Sequence, residues 1–113
     1  MVQIFAITTR GLESVSAGEM AALAGMRVTQ TAYRRIDALY TGGLDVLLNL
    51  RTVDDVFLTL AVWENLAPQR STLAQIRGWS RELNLSHAAA SVAGLRPVST
   101  VPSFSVTVNF VGK

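Results

Sequence analysis

The chain has no cysteine and a single histidine, His87. The first absence excludes a disulfide framework, a thiol nucleophile and any cysteine-held metal. The second leaves little room for a Ser-His-acid triad or a histidine metal site. Charge is also scarce, at 16% of residues against the usual quarter. Long apolar runs are missing as well. The longest, Val56 to Trp63, spans eight residues and contains Thr59. A membrane helix needs about 20 apolar residues. The first basic residue, Arg10, follows an apolar start, so the positive region of a secretory signal is not seen. A soluble, cytoplasmic chain with no membrane association is expected.

What is present is apolar. Half of the 113 residues are hydrophobic and mean hydropathy is +0.33. That is enough to build a core, and it implies a surface that meets partners. The net charge of +2 hides an asymmetry. Residues 1–65 carry five basic and seven acidic groups, a net of −2. Residues 66–113 carry five basic groups against Glu82 alone, a net of +4. A basic half of this kind points to a polyanion such as RNA.

Gln3 to Thr8 reads as a buried strand, broken by Thr9-Arg10-Gly11. Leu12 to Ala24 has helical spacing, with Leu12, Val15, Met20 and Leu23 on its apolar side, Glu13 in its first turn and Gly25 as its stop. Val28 to Tyr33 and Ile36 to Tyr40 form a strand pair around Arg34-Arg35. Leu44 to Leu50 suits a short helix after Gly42-Gly43. Val53 to Glu64 holds another buried strand, centred on Val56 to Trp63, with Asp54-Asp55 in a solvated turn before it. The order β-α-β-β-α-β predicts an α+β, ferredoxin-like domain over 1–65, one sheet with its helices on one face.

The remainder, 66–113, predicts a linker, two helices and a strand. Ser71 is placed to cap a helix over Leu73, Ile76 and Trp79, and Ser86 to cap one that Gly94 ends. Phe104 to Val111 alternates apolar and polar residues with period two, as a strand with one apolar face does. A strand that stops at Gly112-Lys113 reads as the opening of a larger domain.

Catalytic constellations are poor. Asp54 and Asp55 are adjacent and would point to opposite faces of a strand. Gly42-Gly43 is a turn signal, not a nucleotide loop. The basic residues are the better candidates. Arg77 and Arg81 lie four apart on a helix, Arg70 sits at the linker, and Arg96 and Lys113 flank the last strand. Guanidinium and ammonium groups so placed suit RNA phosphates. The competing reading is an ordinary solvated helix face. Trp63 and Trp79 are expected to pack where the two segments join, and Tyr33 and Tyr40 to pack on the sheet.

Three stretches together resemble one family. "IFAITTRGLESVSAGEMAAL" looks like the opening of the THUMP-domain RNA methyltransferases, a strand, then Thr-Arg-Gly-Leu-Glu, then a helix. "LLNLRTVDDVFLTLAVW" is similar to the segment in which Asn49-Leu50-Arg51-Thr52 precedes a buried strand. "FSVTVNFVGK" is similar to the first long strand of the THUMP fold. The resemblance implies a ferredoxin-like domain followed by a truncated, RNA-gripping THUMP domain over 66–113. It also implies a methyltransferase domain beyond this fragment, transferring a methyl group from S-adenosylmethionine to a guanine of tRNA or rRNA. The sequence lacks that family's Asn/Asp-Pro-Pro-aromatic motif and glycine-rich cofactor loop. No catalytic residue and no cofactor site are therefore assigned in this fragment, which would be an RNA-binding part and not by itself an enzyme. Two rivals stand beside this reading. One is a ferredoxin-like module for a small ligand or a protein, without a nucleic-acid role. The other is association, either a homodimer or docking within the chain, through the strand at Phe104 to Val111.

Overall fold

The structure, a computed structural model, describes residues 1–95 and 105–108. Its elements are β1 (Val2–Thr8), α1 (Glu13–Ala21), β2 (Met26–Ala32), β3 (Arg35–Tyr40), a 3-10 helix (Leu44–Asn49), β4 (Val53–Leu58), α2 (Ser71–Ser80) and α3 (Leu85–Ala93). The fold is α+β, and its strands form one antiparallel sheet in the order β2-β3-β1-β4.

Period-two patterning decides which face is buried. Ile4, Ala6 and Thr8 of β1 and Ile36, Ala38 and Tyr40 of β3 are buried, and Ile4 pairs with Ala38 and Ala6 with Ile36. Met20 of α1 and Leu47 of the 3-10 helix close over this face to complete the core. The opposite face is open. Phe5 and Phe57 stack across β1 and β4 with ring centroids 4.9 Å apart, and the Arg35 guanidinium lies 3.9 Å over the Phe5 ring.

α1 departs from the expected apolar stripe. Leu12 and Val15 are exposed, and the buried residues are Ser16 and Met20. Ser16 and Thr8 meet under the helix, and both hydroxyls reach the Thr52 carbonyl. Polar residues therefore fill the space that apolar ones were expected to fill. Gly11, at φ +91°, makes the strand-to-helix turn in a conformation natural to glycine.

The segment expected as an α-helix at Leu44 to Leu50 is a 3-10 helix. Leu44, Leu47 and Leu50 are three apart, and three residues per turn brings them onto one side. All three belong to or pack against the core. Gly42 makes room before it: a Cβ there would collide with the Tyr40 ring, whose hydroxyl donates to the Gly43 carbonyl at 2.9 Å.

β4 is shorter than expected. It ends at Leu58, and Leu60 and Val62 lie exposed beyond it. Its partner β1 begins at Val2, so pairing fades once Thr59 has donated to the Gln3 carbonyl. Asp54 and Asp55 lie within β4 and not in a turn before it. Two cap assignments also shift. Arg70 precedes α2, with Ser71 its first residue, and Asn84 caps α3 by accepting from the His87 N–H at 3.0 Å. Asparagine competes well with serine here because its carbonyl oxygen reaches the third N–H of the helix.

Candidate nucleic-acid interface

α2 begins in a linker that is fastened by Thr72, whose hydroxyl donates to the Ala67 carbonyl at 2.7 Å. Thr72 is buried, while Ile76 and Trp79 are partly buried. The Trp79 ring meets Trp63 with centroids 5.4 Å apart, so the expected tryptophan contact at the join of the two segments is present.

Arg70 and Arg81 bracket α2 and both keep right-handed helical backbone angles. At about 100° per residue, Arg70, Arg77 and Arg81 fall within roughly 40° of one another around the axis. Trp79 points to the other side. The inner face is thus apolar and hydroxylated, and the outer face is a stripe of arginines. All three are exposed, and none forms an ion pair among the described residues. Arg77, in the last turn, complements the negative end of the helix dipole. Arg70 does the reverse, placing a cation at the positive end with no side-chain cap to offset it. That is a local cost with no structural return among the described residues.

Arg34 and Arg35 of the first segment are committed to the sheet, whereas Arg10, Arg27 and Arg51 are exposed and no side-chain hydrogen bond or ion pair holds them among the described residues. Arg34, in the β2–β3 turn, donates through Nε to the Thr8 carbonyl at 3.3 Å. Arg35 is held by Asp37 at 2.9 Å while it covers Phe5. Arg96 and Lys113 lie outside the described residues. Tyr40 packs in the core as expected, whereas Tyr33 is 70% exposed at the hairpin turn, where no strand partner covers it.

Two acidic side chains clamp the fold: Glu13, expected only to complement the helix dipole, and Glu19, counted only in the net charge. Glu19 accepts from the Thr52 hydroxyl at 2.6 Å, from the Thr52 N–H at 3.0 Å and from the Arg51 N–H at 2.9 Å. Those bonds, chiefly that of the Thr52 hydroxyl, hold its carboxyl below the usual range. Glu13 accepts from the N–H groups of Gly11 and Arg34. The Arg34 bond contributes most to the lowering of its carboxyl. The resemblance segment Arg51-Thr52 is therefore a docking loop for α1.

Asp54 and Asp55 are exposed and form no paired carboxylate site; no cluster of metal-ligating residues occurs among the described residues. His87 is exposed and serves α3 through its backbone, its N–H donating to the Asn84 side chain and its carbonyl accepting from the Ser91 hydroxyl. A cleft of about 670 Å³ runs between β4, the 3-10 helix and α3. No described helix is long and apolar enough to cross a membrane. No family model, no curated protein and no solved structure matches the chain.

Proposed function

We propose that the chain is the RNA-binding, substrate-positioning part of an S-adenosylmethionine-dependent RNA methyltransferase acting on tRNA or rRNA guanine. The observation that carries this reading is the stripe of Arg70, Arg77 and Arg81 on the outer face of α2, exposed and without an ion pair among the described residues. Arginine forks bind phosphate oxygens in pairs, and a row of them follows a backbone without reading bases. The strand order β2-β3-β1-β4 supports a ferredoxin-like arrangement for 1–65, with the 3-10 helix standing where a second α-helix would. In this reading the sheet is scaffold, and Arg34 and Arg35 are spent on it.

The cofactor would belong to a domain that follows. Gly42 and Gly43 do not fit a nucleotide loop, because Gly42 accommodates the Tyr40 ring and Gly43 accepts the Tyr40 hydroxyl. The reactive guanine would likewise be held elsewhere.

A salt titration of tRNA binding tests the reading. Affinity falls steeply with salt, and Arg77→Glu with Arg81→Glu weakens binding at least tenfold, with only the small fall in melting temperature that carboxylates at the negative end of α2 bring. Affinity that is flat in salt, or unaffected by the double substitution, overturns it.

A further inference from the structure

β4 is an edge strand, and its outer edge is unusually well furnished. It pairs only with β1 among the described residues. Thr59 donates to Gln3, and hydrogen-bonded pairs recur at every second position. Phe57–Phe5 and Asp55–Ile7 are then the pairs bonded to β1. The N–H and C=O groups of Val56 and Leu58 point away from the sheet, and no described backbone group pairs with them.

Along this edge runs the cleft of about 670 Å³. Leu44, Leu47 and Leu48 line one wall and Ala88, Val92 and Leu95 the other. Leu48, Leu60 and Val92 are exposed there. An extended peptide whose apolar side chains alternate would satisfy both features at once. Its backbone would bond to Val56 and Leu58, and its apolar side would cover the leucine wall and α3.

The chain carries such a peptide. Phe104, Val106, Val108 and Phe110 alternate with Ser105, Thr107 and Asn109. Ser105 to Val108 have no strand partner, and Val106 and Val108 are 79% and 67% exposed. They stand clear of the groove even though Leu95, a short distance upstream, lines it. Pro97 and Pro102 fall in the intervening sequence. Ser105 to Val108, unpaired among the described residues while the β4 edge offers a matching pattern, suit exchange between copies.

We propose that β4 accepts residues 104–111 of a second copy of this chain as a fifth strand, reciprocally, giving a two-fold symmetric dimer. Each copy gives one strand and receives one, so the contact closes on itself and does not propagate. The sheet then continues as β2-β3-β1-β4 plus the donated strand, and the polar residues of that strand emerge beside Asp55 and Phe57 on the open face. This proposal is independent of RNA binding.

Light scattering on the purified chain tests it. The wild type runs at twice the 12.2 kDa chain mass at tens of micromolar. Val106→Lys with Val108→Lys, both exposed in the single chain, runs at the chain mass with an unchanged circular dichroism spectrum. Val92→Lys, which blocks the groove from α3, does the same. Mixing the two variants restores association, because one keeps a groove and the other a strand. A monomeric wild type overturns the proposal, as does a strand variant that remains dimeric. A monomer with amides 104–111 protected from exchange also overturns it, since the segment would then dock in its own chain.

Discussion

The hydroxyls of Thr8 and Ser16 lie 2.7 Å apart beneath α1, and each reaches the Thr52 carbonyl, at 3.0 and 2.9 Å. Two protons thus serve three contacts, tying β1, α1 and the loop before β4 at one buried point. Ser16→Ala leaves Thr8 to satisfy Thr52 and costs about 1 kcal/mol. Ser16→Ala with Thr8→Val strips the carbonyl of both donors. Urea unfolding of the single and double variants reads a loss beyond the sum of the singles by about 1 kcal/mol. Strict additivity would show that the three groups are not coupled.

Acid weakens the fold through Glu13 and Glu19. Both carboxyls titrate lower in the folded chain than the ordinary value of 4.5. Their contribution is complete at neutral pH and is lost as pH falls below that value and through the lowered folded one. Glu19→Gln presents an amide where N–H groups donate, so it destabilises at pH 7 and flattens the acid-side decline. Urea midpoints at pH 7 and pH 3 check this. The gap between wild type and variant narrows at pH 3.

Thr59 supplies an opposite case. Its Oγ1 is buried with no partner among the described residues. Thr59→Val keeps the shape and removes the desolvated hydroxyl, so it is neutral or stabilising by up to about 1 kcal/mol. A loss of stability in thermal melts would reveal a bonding role for that oxygen.

Two glycines should respond in opposite senses. A Cβ at Gly18, within α1, meets nothing within 4 Å. Gly18→Ala therefore gains about 1 kcal/mol from helix propensity. Gly42→Ala drives a methyl group into the Tyr40 ring and costs about 1–3 kcal/mol. Melting temperatures move up for the first and down for the second.

Periodicity made the sheet legible. The alternation in β3 marks its buried face, and the break read at Arg34-Arg35 is found one residue earlier, as a turn at Tyr33-Arg34. Helix type was harder, because Leu44, Leu47 and Leu48 satisfy an α-helical stripe as well as the 3-10 spacing. The length of β4 was not readable from its own residues, since VFLTLAVW continues as a strand pattern while its partner does not. Ser16 was missed because a hydroxyl in a helix signals nothing until Thr8 and Thr52 come beside it. Of the candidate site, Arg77 and Arg81 followed from spacing. Arg70 joined their face only once helical angles reached that residue.

The strand order also sets a sequence of events. β1 is made first, yet it sits between β3 and β4, whose partners for Ile4 are Ala38 and Leu58. Only the β2–β3 hairpin pairs neighbours along the chain. Local pairing forms early, and pairing that closes long loops forms late. During synthesis β1 must therefore wait for β3, which ends at Tyr40, and its outer edge for β4, which ends at Leu58. Its central apolar residues, Ile4 and Ala6, remain uncovered in that interval, and α1 is the one neighbour already made that can shield them.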